Sequence, residues 1–367
     1  MAKNLNNVLD DLKKKYAKAF ADVNQQGVIH YTRLDSPQMN WVFGGRGLPR
    51  GRVIELFGPE SSGKSTISTY LAIQNQKYNT ERPLVVYIDL ERTFDRDHAI
   101  ELGLNCEEPN LIFLQPLTGE EGFEICKTLI QEMPVGLIVW DSIGATPSAS
   151  QVDDAFKATF GSTAHVLSDG LKMLNPYLSK YDTTLIFINQ ERALIGGFSP
   201  VPGATSTPGG FARKFYASWR GRVTRIETLK DHGDPIGIKM KIRNVKNKAG
   251  MPFREAVVDL NFKTGFNADN EYLDFIVALL CKRAGAWYNN EEWGMHVQGA
   301  SGVEAFLKDH PDIYTKAKEA VNKQMEGSTV LDDTDADKKS EDELEKATEE
   351  EKAWAKYDSE AAGIEEI

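Results

Sequence analysis

Eight consecutive residues, Gly58-Pro59-Glu60-Ser61-Ser62-Gly63-Lys64-Ser65, fit the pattern G-x-x-x-x-G-K-[ST]. Each residue type in it has a use. Gly58 and Gly63 adopt backbone angles that a Cβ would forbid, so the loop can turn its N–H groups inward around phosphate oxygens. A helix beginning near Lys64 adds its positive N-terminal end. Lys64 can reach β- and γ-phosphates, and the Ser65 hydroxyl can hold Mg²⁺. The run from Gly58 through Thr66 is therefore expected to cradle a nucleoside triphosphate. Three other short runs carry candidate chemistry. In Asp89-Leu90-Glu91 a carboxylate can orient and deprotonate a water, or it can be a capping or surface-paired acid. Leu137-Ile138-Val139-Trp140-Asp141 ends in an acid placed to hold Mg²⁺ directly or through water. Asn189-Gln190 offers an amide that either senses a γ-phosphate or closes a strand end.

A scaffold that gathers these runs is legible in the apolar pattern. Val53–Phe57, Leu84–Asp89, Leu111–Leu114, Gly136–Asp141 and Thr183–Ile188 are short, continuous apolar runs, and each reads as a buried strand. Helices are expected from the phosphate loop to about Tyr78, over about Gly119–Gln131, and over about Ser162–Lys180. Such alternation means a mostly parallel sheet covered on both faces, with ligands at the carboxyl ends of the strands. All four chemical runs sit at such ends. Glu191–Gly210, rich in Gly, Pro, Ser and Thr, is long for a plain connection and is either functional or a sign that the elements around it are wrongly assigned. Near Ala217–Ile226, Ile236–Val245 and Phe253–Phe262 the pattern alternates, as antiparallel strands do. About Asp269–Gln324 forms a small α/β module. Val8, Leu9, Leu12, Tyr16, Ala19 and Phe20 recur at helical spacing among lysines, giving an amphipathic helix over 3–20 that packs on its own domain or on a neighbouring subunit.

Composition sets the outer bounds. The chain has 367 residues, 41% of them hydrophobic, enough for one large core with small modules. No apolar run approaches the roughly 20 residues that cross a membrane. The start has no apolar signal region, so a cytoplasmic protein is expected. Cys106, Cys126 and Cys281 are scattered and odd in number, which suits reduced thiols rather than a disulfide framework or metal cluster. The net charge is −11, yet residues 327–367 hold 15 acidic and 5 basic side chains. The body is thus close to neutral and open to nucleic acid, while the tail is polar, acidic and expected to be disordered.

Five runs together carry a resemblance. Gly44-Gly45-Arg46-Gly47-Leu48-Pro49-Arg50-Gly51-Arg52 leads into the phosphate loop. Leu185-Ile186-Phe187-Ile188-Asn189-Gln190, Lys214-Phe215-Tyr216-Ala217-Ser218, Val245-Lys246-Asn247-Lys248 and Ala284-Gly285-Ala286-Trp287-Tyr288 follow in order. The series resembles bacterial RecA-type recombinases from about residue 5 to 324. The fold it implies is α/β: a RecA-like P-loop ATPase core with a mostly parallel central sheet, an N-terminal polymerisation helix, a small C-terminal α/β domain and a disordered acidic tail. The boundaries are then 1–30, 31–268, 269–326 and 327–367.

The resemblance implies an ATP-dependent recombinase that forms a helical filament on single-stranded DNA, pairs it with duplex DNA and hydrolyses ATP. Glu91 would be the general base, Lys64 and Ser65 would bind phosphate and Mg²⁺, and Asp141 would support the metal. Gln190 would couple the γ-phosphate to the loop after it. Lys246 and Lys248 would act in trans on the neighbour's ATP; read without the resemblance, they suit a solvated strand edge better. DNA would be held by loops at about 150–161 and 191–210, with Arg192, Phe198, Gly209, Gly210, Phe211 and Arg213 as contacts. Each arginine also suits a surface ion pair, Arg192 with its neighbour Glu191. Asp95 and His98 would face the adenine, although His98 stands where relatives carry Tyr. Arg92 replaces a His, and Phe211 a polar Asn. These departures mark a divergent member, with a phage as one origin. A repair ATPase or helicase without homologous pairing is the alternative reading of the same core.

Overall fold

The computed structural model describes residues 12–15, 28–150, 162–193, 205–206 and 212–327. The rest of the expected N-terminal helix, most of both expected DNA loops and the acidic tail lie outside these residues; residues 12–15 are helical.

In chain order the strands are β1 (Tyr31–Thr32), β2 (Leu48–Pro49), β3 (Val53–Gly58), β4 (Leu84–Asp89), β5 (Leu111–Leu114), β6 (Val135–Asp141), β7 (Thr184–Gln190), β8 (Arg192–Ala193) and β9 (Thr205–Ser206). They continue with β10 (Ala217–Asp231), β11 (Asp234–Asn247), β12 (Glu255–Asn261), β13 (Gly265–Phe266), β14 (Lys282–Ala284), β15 (Trp287–Asn290) and β16 (Met295–Gln298). The helices are α1 (Pro37–Phe43), α2 (Lys64–Tyr78), α3 (Arg96–Glu101), α4 (Gly119–Glu132), α5 (Ser162–Lys180), α6 (Ala212–Tyr216), α7 (Ala268–Leu280), α8 (Gly299–Asp309) and α9 (Pro311–Gly327).

Nine strands form one sheet in the order β13-β12-β11-β10-β3-β7-β6-β4-β5. From β10 to β5 every pairing is parallel; from β10 to β13 every pairing is antiparallel. The strands alternate between two cores because successive side chains point to opposite faces. Ile54, Leu56, Val85, Tyr87, Leu137, Val139, Ile186 and Ile188 pack with Ile67, Leu71 and Ala72 of α2. Val53, Val86, Ile88, Ile138, Trp140, Leu185 and Phe187 pack with Phe123 and Ile130 of α4 and Leu167, Leu171 and Leu174 of α5. Each fully buried aliphatic or aromatic side chain contributes about 1.5–3 kcal/mol. The expected two-sided sheet is therefore present, and its strand bounds agree closely with the apolar runs.

Two regions differ from expectation. β10 and β11 are longer than their alternating segments, because a two-residue turn joins them. His232 and Gly233 lie at φ 48° and 97°, and Asp231 pairs Asp234 across the turn. Positive φ at both central residues gives the twist that hairpins require. The hairpin tip projects past the core, so no apolar pattern marks it. The second difference is an irregularity. Along β11 Ile238, Met240 and Ile242 face the α2 side, and Asn244 Nδ2 reaches Val42 O on that side at 3.0 Å. Arg220 pairs Lys246 while Gly221 pairs Asn244, which leaves Val245 as an extra residue. This β-bulge reverses the alternation. Lys246 turns to the opposite face, and Asn247 takes the α2-side place, donating to Phe43 O at 3.1 Å.

Residues 268–327 build a third core from Tyr272, Phe275, Ile276, Met295, Val303, Leu307, Val321 and Met325, which Trp41 of α1 enters. The Arg254 guanidinium lies 3.8 Å from the centre of the Trp41 ring. Among the described residues no helix is long and apolar enough to cross a membrane.

Candidate active site

The phosphate loop joins β3 to α2 at the carboxyl edge of the sheet. Gly58 at φ 155° passes so close to β10 that a Cβ there would lie 2.0 Å from Val223 O. Gly63, at φ 93°, is the N-cap of α2, so the first N–H groups of that helix open into the loop. Lys64 is buried and folds back on its own loop. Its Nζ donates to Pro59 O at 2.6 Å and Gly58 O at 3.2 Å. Burial pulls its ammonium below the ordinary lysine value, against the opposing pull of Asp141 and Glu91.

Three strands bring the acids and the amide to this loop. β4 carries Asp89 and, just beyond its end, Glu91. Asp89 turns away to accept Thr93 N and Phe94 N at 3.2 Å, so it closes the turn. Glu91 faces the cavity, where its Oε1 accepts from the Ser142 hydroxyl and from Gln190 Nε2 at 3.0 Å. Asp89 thus takes the capping place, and Glu91 is the acid of this run that lines the cavity. β6 ends in Asp141, whose Oδ2 accepts from Ser65 Oγ at 2.9 Å and Tyr87 OH at 3.1 Å. Burial pushes the Asp141 carboxyl up to about 6, against those hydrogen bonds. β7 ends in Gln190, so the amide expected to sense phosphate is joined to the acid expected to act as base.

These groups line one cavity of about 240 Å³, formed by Glu60, Ser61, Ser62, Gly63, Lys64, Ser65, Thr66, Glu91, Asp141, Ile188 and Gln190. Three carboxylates and one ammonium surround it. A larger cavity of about 620 Å³ lies between α4 and α5, but among the described residues Glu120, Glu124 and Asp169 line it without lysine or arginine. That lining does not suit a phosphate. The smaller cavity holds the phosphate loop and Lys64, and its lining is the one that suits a phosphate.

Other expected residues lie elsewhere. Asp95 and His98 are outside the cavity lining; Asp95 caps α3, accepting from His98 N at 3.0 Å. The bulge places Lys246 and Lys248 together on one face, as two alternating lysines should be. Lys246 Nζ donates to Lys214 O, and Lys248 Nζ to Phe215 O at 3.4 Å. The stretch 191–210 is pinched at its root, where β8 pairs β9 and Arg192 stands opposite Ser206. Phe198, Gly209, Gly210 and Phe211 lie outside the described residues. Arg213 begins near the start of α6. Arg222 holds Glu191 by two bonds, Nε at 2.9 Å and Nη2 at 3.1 Å.

Sequence reasoning missed Tyr87, Ser142, Arg220 and Arg222. One signal was present: Glu55 interrupts the apolar run Val53-Ile54-Leu56-Phe57, and a buried carboxylate demands a partner.

The model of the RecA N-terminal domain family matches residues 3–267. Protein RecA of Oceanobacillus iheyensis is 38% identical over 300 residues, covering 81% of this chain and 82% of that one. Protein RecA of Leptospira biflexa is 36% identical over 324 residues, covering 85% and 80%. Protein RecA of Campylobacter jejuni is 35% identical over 330 residues, covering 88% and 94%.

Proposed function

The chain belongs to the RecA family, and from that premise we propose how its own residues run the reaction. Membership makes it a recombinase: a DNA-dependent ATPase that exchanges strands between homologous DNA molecules. Our reading assigns residues 1–30 to subunit docking, 31–268 to the ATPase core, 269–326 to a small C-terminal domain and 327–367 to an acidic tail. Single-stranded and double-stranded DNA are its substrates, further copies of the chain its partners, and the cytoplasm its compartment.

ATP lies along Gly58–Thr66. Lys64 then exchanges the carbonyls of Gly58 and Pro59 for β- and γ-phosphate oxygens, so binding swaps partners for a charge that is already desolvated. Ser65 Oγ and the Asp141 carboxylate are hard oxygen donors 2.9 Å apart and suit Mg²⁺. When bound, that ion neutralises phosphate charge. Glu91 takes the proton of the attacking water, and Ser142 and Gln190 hold its carboxylate in place. Asp95 and His98 flank the adenine.

The Gln190–Glu91 bond is the observation that carries the coupling to DNA. Gln190 stands directly before the pinched root of the second loop. A γ-phosphate competes with Glu91 for its amide, so nucleotide entry shifts the start of that loop. Arg192, Phe198, Gly209, Gly210, Phe211 and Arg213 then contact the DNA backbone and bases. With three carboxylates around it, the cavity needs cations beyond Lys64 and Mg²⁺ to hold a triphosphate. Lys246 and Lys248 of the adjacent copy supply them, which makes the filament the active form.

Glu91→Gln is expected to bind a fluorescent ATP analogue as tightly as the parent and to lose about 10²–10⁴-fold in DNA-stimulated turnover. Unchanged turnover would move the base elsewhere. The wild-type chain is expected to form D-loops with homologous duplex; ATP hydrolysis that single-stranded DNA does not raise would sink the whole reading.

A further inference from the structure

Glu55 is fully buried in β3, three residues before Gly58. Its Oε2 accepts from Arg220 Nε of β10 at 2.5 Å, and its Oε1 accepts from Asn189 Nδ2 of β7 at 3.0 Å. Asn189 is itself buried and adjoins Gln190. On the other side Arg220 stands opposite Lys246 in the β10–β11 register. The row Asn189, Glu55, Arg220, Lys246 therefore crosses four adjacent strands on one face of the sheet. It starts beside the γ-phosphate sensor and ends at a lysine assigned to the neighbouring copy's ATP. The Val245 bulge is what brings Lys246 onto this face; unbroken alternation would set it opposite Trp219, toward the α2 core.

We propose that Asn189, Glu55 and Arg220 form a positioning relay that makes the placement of Lys246 depend on the state of Gln190, so that one copy's ATP site sets the cation offered to the next. None of the three lines the phosphate cavity. Fold stability alone does not require the pair: a buried ion pair is often replaced by apolar side chains of similar volume without loss. A charged network in low dielectric does hold its members in fixed geometry, as a relay requires. A γ-phosphate that draws Gln190 away from Glu91 moves the end of β7, and with it Asn189, Glu55 and Arg220.

The inference rests on the reading of Lys246 as acting in trans, and one experiment separates the two. Glu55→Met with Arg220→Met removes the relay while filling its volume. Thermal unfolding and binding of a fluorescent ATP analogue are expected to stay close to the parent. DNA-stimulated kcat is expected to fall about tenfold, and the Hill coefficient for ATP toward one. Arg220→Lys keeps the charge without the planar fork and is expected to fall between parent and double variant. A folded double variant with parental kcat and Hill coefficient overturns the relay. If the double variant does not fold, Arg220→Lys carries the same readouts, and parental values there overturn it. Lys246→Ala tells which idea failed. If it turns over like the parent, the in-trans reading falls. If it loses turnover while the relay variants keep theirs, only the relay falls.

Discussion

Side chains at this site are set against one another before any ligand arrives. Asp141 is the clearest case. Burial lifts its carboxyl from 3.8 to about 6, so it is ionised at pH 7.5 and largely protonated at pH 5. A proton and a divalent cation compete for the same oxygens. Each pH unit below about 6 is expected to raise the Mg²⁺ concentration for half-maximal ATPase about tenfold, and Mg²⁺ titrations at pH 5.5 and 7.5 would read this. Asp141→Asn should flatten that dependence and lower the maximum; a parental pH dependence in the variant would exclude Asp141 as ligand. At this scale the motif residues were legible because their chemistry is local. Tyr87 and Ser142 were not: each acts on an acid 54 or 51 positions away, a distance that only strand order closes.

Elements were legible where burial forces a pattern and obscure where it does not. Strands β3, β4, β6 and β7 are covered on both faces and read as continuous apolar runs, while β5, at the sheet edge, is apolar but only partly buried. Helix α3 has only Ala99 buried, and the β10–β11 tip lies beyond the core; neither leaves a periodic trace. The Val245 bulge is hidden for another reason. Lysines at 246 and 248 look like the exposed half of any alternating strand, and the extra residue shows only against the partner's register. Its effect depends on the count of residues, not on their type. Val245→Thr is expected to leave DNA-stimulated turnover within about twofold, since surface strand substitutions are usually small in effect. Deleting Val245 restores unbroken alternation and sends Lys246 toward Trp219, and turnover is expected to fall to the level of Lys246→Ala. A deletion variant with parental turnover would show that the face of the lysine does not matter.

Across the whole molecule, residues 268–327 are packed onto the core, not hung from it. Trp41 enters their cluster, and Glu271 of α7 accepts from the Ser36 hydroxyl and from Gln38 N on α1. The sequence placed this module but gave no hint of the seam, because its contacts join residues more than 230 positions apart. Burial lifts Glu271 from 4.5 to about 7, and its hydrogen bonds only partly offset this. The folded chain therefore holds a proton over that window which the unfolded chain has released. The contribution is present below about pH 4.5 and lost as pH rises through 7, a change of about 3 kcal/mol. Glu271→Gln is expected to melt higher than the parent at pH 8 and with a flatter pH profile; parallel profiles for the two proteins would disprove it. Among the described residues β10 is the strand of the main sheet bonded in parallel to one neighbour and antiparallel to the other. A strand stitched along both edges and pulled along its length is loaded in shear, so its hydrogen bonds share the load and do not tear one by one. The bonds of β10 to β3, which leads into the phosphate loop, and to β11, which carries Lys246, would share such a load.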